Sequence, residues 1–347
     1  MRIGFVYDVS ENVFATTEEG CPIEELKTEL FSATQANTLV AAMKQLGHEV
    51  IIIDGAKDFA ESIATYKKQI DFVFNEAKGL FGIDRKMAVP ALCRIYRLPY
   101  LGSDAYTVTL ARNKWHTLAV AAMCGILVPE SALFESEKDP SIGGWSLFPA
   151  IVKPNFESAS IGITDASIVR NTEQLLQQVQ RTTSVYQQPA LVQQFIMGTE
   201  IQVSLVGTRS PIVLPVVEIR TEEFSREGYS FIRNQDWIDD QVDIIPYDRE
   251  DIGKEAGRLA RIIYQHLGIH DYGRVDFRID LSGRLFFIEA ATHPHLTLGC
   301  SFQVAAQLHG WLFIDMLSNL IESASQRHAS VGASGSSLIG ANPSLPD

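Results

Sequence analysis

The sequence has few cysteines, and their spacing matches no known cysteine motif. Four are present among 347 residues, and no two of them are separated by only two residues. Paired thiolates of a zinc site or a redox motif are therefore not expected. Reduced thiols in a cytoplasmic protein are the simplest interpretation.

Long apolar runs and runs of basic residues are also missing. No stretch approaches the roughly 18 consecutive apolar residues that a membrane span needs. Residues 1–8 predict a short strand rather than a signal peptide. Acidic residues outnumber basic ones by 42 to 29, which gives a net charge of −13. Neither a membrane nor a nucleic acid is therefore expected as a partner.

The chain has enough hydrophobic residues for two or three domains. Its 46% hydrophobic and 20% charged residues are typical of a soluble globular protein. The first third alternates short apolar runs with helical periodicity, in the order β-α-β-α-β, and then reaches a strand-like segment at 98–103. This order predicts a parallel, doubly wound sheet. Residues 11–24 lack periodicity and are expected to form a long loop or lid.

Serine, alanine and glycine dominate the last part of the sequence. No periodicity is visible there, so residues 326–347 are predicted to form a disordered tail.

Residues 272–297 form the most informative segment. Asp276 and Glu289 lie toward the ends of two apolar runs, and the turn sequence at 280–283 predicts that these runs form a hairpin. Two carboxylates on adjacent strands, with Arg274 nearby, suit Mg²⁺ bound together with phosphate. The alternative is a pair of ordinary surface carboxylates on a hairpin.

Two earlier segments point to a nucleotide. Residues 148–162 form an apolar strand that carries Lys153 and is followed by a loop of small residues. Backbone N–H groups of such a loop can bind phosphate oxygens, and the lysine can supply the opposite charge. Residues 191–200 add another strand, a break at Gly198 and then the acidic Glu200.

Taken in order, these segments resemble the ATP-grasp superfamily and, within it, the D-alanine–D-alanine ligase family. The resemblance runs from about residue 70 to about residue 320. It implies an α/β fold with an N-terminal doubly wound parallel-sheet domain at 1–112. A small central α+β subdomain follows at 113–190, and a C-terminal α+β catalytic domain at 191–325.

The resemblance also implies an activity. A cytoplasmic homodimer would use ATP to join a small carboxylic acid, through an acyl phosphate, to an amine or an amino acid. Mg²⁺, or Mn²⁺ in its place, would be the metal cofactor of this reaction.

Individual residues receive roles by the same resemblance. Lys114 and Lys153 correspond to the family's phosphate-binding lysines. Lys153, Arg274 and Ser160 correspond to its catalytic residues. Asp276 and Glu289 correspond to its metal ligands. The residues that correspond to its nucleotide hinge are Gln193, Gln194, Phe195 and Ile196, with Glu200 for the ribose. Gln193 replaces the acid that the family places on the hinge, and its carbonyl oxygen can still accept a hydrogen bond.

Several positions depart from the family pattern. Ala291 stands where the family has a metal-binding asparagine. Lys27 falls where a glutamate would hold the amino group of the first substrate, and Ala159 falls where a serine would support that glutamate. Pro294–His295 replaces a Pro–Gly pair, and the flap at 220–245 lacks a Lys–Tyr pair.

Other residues are candidates to fill these gaps. Arg226 or Arg233 could replace the flap lysine, and Glu24 or Glu25 could restore the missing negative charge. Ser301 falls near the position of a serine that binds the second substrate's carboxylate. His293 and His295 could supply a metal ligand or a base, or could be ordinary loop residues.

These departures predict that the first substrate is not D-alanine and that Lys27 attracts an anionic group. A ligase of specialised small-molecule or dipeptide biosynthesis is therefore expected. Two alternatives remain open: an aberrant D-alanine–D-alanine ligase of cell-wall synthesis, and an ATP-binding pseudoenzyme or sensor.

Overall fold

The computed structural model describes residues 1–10, 23–80, 82–221 and 231–335. The predictions for Arg226, for most of the 11–24 loop and for the tail beyond residue 335 therefore lie outside the described residues. Residues 23 and 24 begin a helix.

Helices and strands alternate along most of the chain. The helices are α1 Ile23–Leu26, α2 Ala33–Gln45, α3 Gly55–Gln69, α4 Ala88–Tyr96, α5 Ala105–Arg112, α6 Lys114–Met123, α7 Thr172–Val185, α8 Asn234–Ile238, α9 Glu250–His266, α10 Ser301–Leu308 and α11 Phe313–Gly335. Short 3₁₀ turns lie at Lys27–Glu29, Arg85–Met87, Pro140–Gly144 and Asp165–Ser167.

The N-terminal unit is built on three parallel strands. They are β1 Arg2–Tyr7, β2 Glu49–Asp54 and β3 Phe72–Glu76, in the order β2-β1-β3. The predicted parallel sheet is thus confirmed. The strand-like segment at 98–103 contributes only one bridge, between Val73 and Tyr100.

The central unit is a small antiparallel sheet covered by α7. Its strands are β4 Ser131–Phe134, β5 Ala150–Pro154, β6 Ile168–Val169 and β7 Ala190–Gln194, in the order β4-β7-β5-β6. Leu175 and Val179 of α7 pack on Val152 of β5 in one buried cluster. This packing fixes the strand that carries Lys153.

The C-terminal unit holds the largest sheet, which is antiparallel. Its strands are β8 Gly198–Val206, β9 Ile212–Val213, β10 Val217–Thr221, β11 Val242–Pro246, β12 Tyr272–Asp280 and β13 Leu285–Ala291. The order is β11-β10-β8-β12-β13, with β9 on β8. Ala256, Ala260 and Ile263 of α9 pack against Phe277 of β12.

Helix α11 runs into the segment predicted to be disordered, so that prediction is wrong for residues 326–335. Arg327 binds the buried carboxylate of Asp271 at 2.7 Å and donates to the carbonyl of Tyr100 at 2.8 Å. The Tyr100 N–H donates to the His328 ring at 3.0 Å. These partners lie far away in sequence, so local composition does not reveal them.

A single buried cluster joins the two ends of the described chain. Ile3 of β1 and Leu39 of α2 share it with Tyr272 of β12 and Leu320 of α11. The carboxyl end of β3 is thereby held against β12 and the loop after β13. Among the described residues, no helix is long and apolar enough to cross a membrane.

Candidate active site

Two cavities meet where the three units come together. The smaller, of about 100 Å³, lies between the central and C-terminal sheets, and the larger, of about 530 Å³, reaches the N-terminal unit. Lys114, Glu157, Ser158 and Glu289 line both cavities. A group held in one cavity can therefore react with a group held in the other at this junction.

The predicted hairpin brings Asp276 and Glu289 side by side. They are direct partners across β12 and β13, so both side chains lie on the same face of the sheet. Arg274 donates hydrogen bonds to both carboxylate oxygens of Asp276, each at 2.7 Å. Glu289 pairs with Lys114 at 3.0 Å. The two carboxylates and both cations thus form one ionic group at the junction.

The two carboxylates differ in their electrostatics. Burial raises the pKa of Asp276, although Arg274 opposes that shift. Burial also disfavours ionisation of Glu289, but Lys114, Lys153 and Arg274 outweigh it, so the pKa of Glu289 is lowered. Glu289 is therefore the more firmly ionised of the two.

The oxygen atoms at this hairpin suit Mg²⁺, which is usually held by one or two carboxylates completed by phosphate oxygens and water. Gln202 lies directly across from Asp276 on β8 and donates its amide N–H to that carboxylate at 3.3 Å. Its buried carbonyl oxygen has no hydrogen-bond partner in the described ranges. Those ranges hold no group of three or more metal-ligating His, Cys, Asp or Glu residues. Phosphate oxygens and water would therefore complete the coordination.

Lys153 and Lys114 approach the junction from different elements. Lys153 lies on β5, and Lys114 begins α6, which Asn113 caps. Lys114 also donates to the carbonyl of Glu157. Lys153 forms no ion pair or hydrogen bond with any described residue, and burial together with the charge on Lys114 lowers its pKa to about 8. A buried cation in this setting suits an anionic ligand.

The small-residue loop after β5 borders the same cavity. Ala159 and Ser160 adopt left-handed backbone conformations, with φ of 52° and 55°. Ile161 and Ile163 close tight turns by donating to the carbonyls of Ser158 and Ser160, at 3.0 and 2.9 Å. Ser160 lines the smaller cavity.

The hinge strand and Glu200 form the far wall of the smaller cavity. Gln193, Gln194, Phe195, Ile196 and Glu200 all line it. Gln193 uses its amide N–H to reach Ser131 at 3.1 Å, which leaves its carbonyl oxygen as the acceptor. Burial raises the pKa of Glu200, while Arg278 opposes that shift.

Arg278 is a site residue that the sequence reasoning missed. Its guanidinium donates to the carbonyls of Ile196 and Gly198 at 2.8 and 3.0 Å and lies 4.9 Å from the Phe195 ring centre. It also reaches Glu200 at 3.4 Å. Its position two residues after Asp276 on the same strand was the available signal, because side chains at i and i+2 share a face.

The part of the larger cavity assigned to the acid substrate contains different residues from those predicted. Lys27 is about 40% exposed and pairs with Glu24 at 2.8 Å. Glu29, which the sequence reasoning missed, is buried and accepts hydrogen bonds from Lys86 at 2.8 Å and from the Ser158 hydroxyl. A carboxylate and a serine hydroxyl do meet here, at Glu29 and Ser158 and not at the predicted positions 27 and 159.

Positively charged groups surround Glu29. Arg85 binds it at 2.5 Å and also binds Glu157 at 3.0 Å. These cations hold the pKa of Glu29 well below its usual range despite burial. Glu25 does not join this group, because it accepts hydrogen bonds from the Tyr186 hydroxyl at 2.9 Å and the Gly162 N–H at 2.6 Å.

The loop after β13 places two neutral histidines in the larger cavity. Burial and the nearby Lys78 lower the pKa of His295 to about 3 and that of His293 well below its usual range. Asn75 contacts the His293 ring at 3.3 Å, and His295 packs on Phe31 with ring centres 5.4 Å apart. The contacts of the two rings with described residues are thus packing and hydrogen bonding.

Two further candidates have definite positions. Arg233 lies at the edge of the flap, and its guanidinium pairs with the carboxylates of Asp236 at 2.7 Å and Asp165 at 2.9 Å. Ser301 lies 3.4 Å from the Arg274 guanidinium and lines the larger cavity with Cys300. A carboxylate bound at Ser301 would therefore lie close to Arg274.

Comparison with known proteins agrees with this architecture. The sequence profile described as D-ala D-ala ligase C-terminus matches residues 114–322, more than half of the chain. The D-alanine–D-alanine ligase of Aquifex aeolicus is 29% identical, over 84% of this chain and 94% of its own. An uncharacterized protein of Sinorhizobium fredii is 27% identical, over 86% of this chain and 90% of its own.

Solved structures give the same fold. The D-alanine–D-alanine ligase of Bacillus anthracis complexed with ATP superposes with a TM-score of 0.72 at 20% identity, covering 95% of this chain and 99% of its own. The VanG D-Ala:D-Ser ligase of Enterococcus faecalis gives a TM-score of 0.70 at 19% identity, covering 93% and 99%. Together with the profile match, these likenesses show that the chain belongs to the D-alanine–D-alanine ligase family of the ATP-grasp superfamily.

Proposed function

We propose that this protein is an ATP-dependent ligase that joins a small carboxylic acid, through an acyl phosphate, to an amine or amino acid. We assign it to specialised small-molecule or dipeptide biosynthesis. The observation that most supports the proposal is the junction of the two cavities. Lys114 and Glu289 line both cavities there, beside Lys153 and Arg274.

The first step is a phosphoryl transfer. A carboxylate oxygen of the acid bonds to the γ-phosphorus of ATP as the bond to the bridging oxygen breaks, and ADP leaves. Lys114 and Lys153 are assigned to the phosphate oxygens, whose charge they neutralise. Asp276 and Glu289 would hold Mg²⁺, which supplies further charge neutralisation when bound.

The second step forms the new C–N bond. The amine nitrogen attacks the acyl carbon, the C–O bond to phosphate breaks, and phosphate leaves with the bonding electrons. The surplus proton of the nitrogen passes to solvent. Arg274 is assigned to the oxyanion of the tetrahedral intermediate, because a permanently charged planar donor stabilises such an oxygen.

The proposal is tested with the full chain, ATP, Mg²⁺ and a panel of small acids, each with amino acids or with hydroxylamine as the amine. Hydroxylamine converts an acyl phosphate into a stable hydroxamate. We expect acid-dependent ADP release that falls by about 100-fold in Lys114→Met and is unchanged in the surface variant Lys57→Met. ATP binding without ADP release for any pair would instead favour a nucleotide-binding pseudoenzyme.

A D-alanine–D-alanine ligase is the second candidate, and the contact between Glu29 and Ser158 favours it. That contact joins a carboxylate and a serine hydroxyl, the types of group with which the family holds its first substrate. Arg85 and Lys86 already neutralise this carboxylate, however, so we expect D-alanine alone to give no ADP release. Steady formation of D-alanyl-D-alanine would reverse the order of the two candidates.

A further inference from the structure

Two buried lysines, Lys78 and Lys86, line the larger cavity. Their exposed fractions are 1% and 8%. Lys78 follows β3, and Lys86 lies in the 3₁₀ turn Arg85–Met87. Burial of an ammonium group is unfavourable unless hydrogen bonds and opposite charge compensate it, so the partners of these lysines are informative.

Lys78 has two acceptors in the described ranges. It donates to Glu76 at 3.0 Å and to the carbonyl of His293 at 3.1 Å. Glu76 is shared, because the hydroxyl of Tyr272 also donates to it at 2.8 Å. An ammonium group has three N–H donors, so one donor of Lys78 has no hydrogen-bond acceptor among the described residues. The Phe31 ring centre lies 5.8 Å from the Lys78 nitrogen.

Lys86 also uses two of its three N–H donors within the protein. It donates to Glu29 at 2.8 Å and to the Ser158 hydroxyl at 3.0 Å, its only acceptors among the described residues. Glu29 is shared as well, since Arg85 binds it at 2.5 Å. One donor of Lys86 is therefore left over. Glu29 is divided between two cations, of which Arg85 also pairs with Glu157.

The wall around Lys86 carries mostly positive charge. Burial lowers its pKa to about 7, Glu29 opposes the shift, and the charges of Arg112, Lys78 and Arg85 add to it. Burial lowers the pKa of the neighbouring His293, and the charges of Lys78 and Lys86 add to that shift. An added negative charge between the two lysines would thus be favourable, whereas an added ammonium would not.

The position of Lys86 identifies which substrate would bring that charge. Its partner Ser158 lines both cavities and lies at the junction with Lys114 and Glu289. The acid that takes the phosphoryl group must have its reacting carboxylate at this junction. A second group on the same small acid would then lie beside Lys86.

We propose that Lys78 and Lys86 form an anion subsite and that the acid substrate is a small dicarboxylic acid. One carboxylate receives the phosphoryl group at the junction, and the other binds the two lysines. The identity of the ligand as the acid substrate depends on the proposed function, but the anion subsite itself does not. Lys27, exposed and paired with Glu24, is not part of it.

Binding experiments test the subsite without requiring turnover. The probes are the diacids from malonate to adipate and the monoamide of each, which has nearly the same size but one charge less. Titration calorimetry is done with the full chain in the presence of Mg²⁺ and a non-hydrolysable ATP analogue. We expect at least one diacid to bind ten or more times as tightly as its monoamide. Equal affinity within each pair, or no binding by any diacid, overturns the proposal.

Variants then locate the preference. In Lys86→Met and in Lys78→Met we expect the diacid to lose most of its advantage, while binding of the monoamide changes less than threefold. Retained monoamide binding shows that the variant is folded, and Lys86→Arg should keep the preference. Lys57→Met is the matched control, because Lys57 is exposed and, within the described ranges, pairs only with Glu61. A preference that survives both methionine variants, or one that disappears in Lys27→Met, overturns the assignment.

The two proposals can fail separately. Diacid preference without ADP release for any acid would leave the anion subsite standing and remove the ligase function. ADP release with monocarboxylic acids and no diacid preference would support the ligase function and remove the anion subsite.

Discussion

Single side chains at the junction control different steps. Glu289 is ionised, lies next to Asp276 and pairs with Lys114. We therefore assign it to metal binding and not to contact with the adenine base. We expect Glu289→Gln to lower ADP release by about 100-fold or more, while adenosine binding changes less than twofold. Steady-state ADP release and adenosine titration measure the two effects. Activity within a few-fold of the parent would remove Glu289 from the metal site, and the exposed Glu255→Gln is the control.

Lys153 has a different role, because it is buried and forms no ion pair or hydrogen bond with any described residue. We expect Lys153→Met to weaken ATP binding about tenfold more than adenosine binding, since a lost hydrogen bond to a charged group costs about 1.5–3 kcal/mol. Glu200→Gln should weaken both ligands, because the ribose is present in each. Calorimetry with the two ligands compares the losses, and equal losses in Lys153→Met would show that this lysine does not bind phosphate.

Lys86 gives the anion subsite a pH dependence. The charged groups that face it are Glu29, Arg85, Arg112 and Lys78, with the neutral His293 nearby. Because burial and these cations lower its pKa to about 7, it is charged below that pH and increasingly neutral above it. A dicarboxylate prefers the charged form, so its affinity should fall as pH rises from about 6.5 to about 9. Titrations across this range should show a much flatter profile for Lys86→Arg, and an equally flat profile in the parent would contradict the expectation.

Among strands and turns, local pattern predicts some parts of this site and not others. The hairpin that pairs Asp276 with Glu289 is predictable, because both its apolar runs and its turn lie within one short segment. Glu29 is not, because it follows a segment of uncertain register and meets Ser158 some 129 residues away in sequence. Arg327 is hidden for the same reason: its partner Asp271 is 56 residues away, and Tyr100 is 227 residues away.

Gly198 sets the start of β8, immediately after the hinge. Its φ is +141°, and a Cβ there would lie 2.0 Å from the carbonyl oxygen of Ile279. We expect Gly198→Ala to lower the free energy of unfolding by about 3 kcal/mol or more, because both strain and a backbone clash result. Urea unfolding measures the loss. Gly143→Ala, where a Cβ would meet nothing within 4 Å, is the control and should change it by less than about 0.5 kcal/mol.

Across the complete fold, the buried ion pair between Arg327 and Asp271 joins α11 to the segment before β12. Asp271 is fully buried, so removal of its partner leaves a buried charge uncompensated. We expect Arg327→Met to lower the free energy of unfolding by about 3–5 kcal/mol, measured by urea unfolding. The double variant with Asp271→Asn should recover part of the loss. A change as small as that of Arg258→Met, in an exposed pair, would show that the contact contributes little.

The buried cluster that joins β1 and α2 to α11 has a consequence for biosynthesis. Leu39 and Met43 leave the ribosome about 270 residues before their partners Met316, Leu317 and Leu320, a delay of roughly 15–55 s at 5–20 residues per second. During that interval the apolar face of α2 that carries Leu39 and Met43 lacks its final partners. The nascent chain is therefore a candidate client for chaperones, and translation that stops before α11 would release an aggregation-prone product.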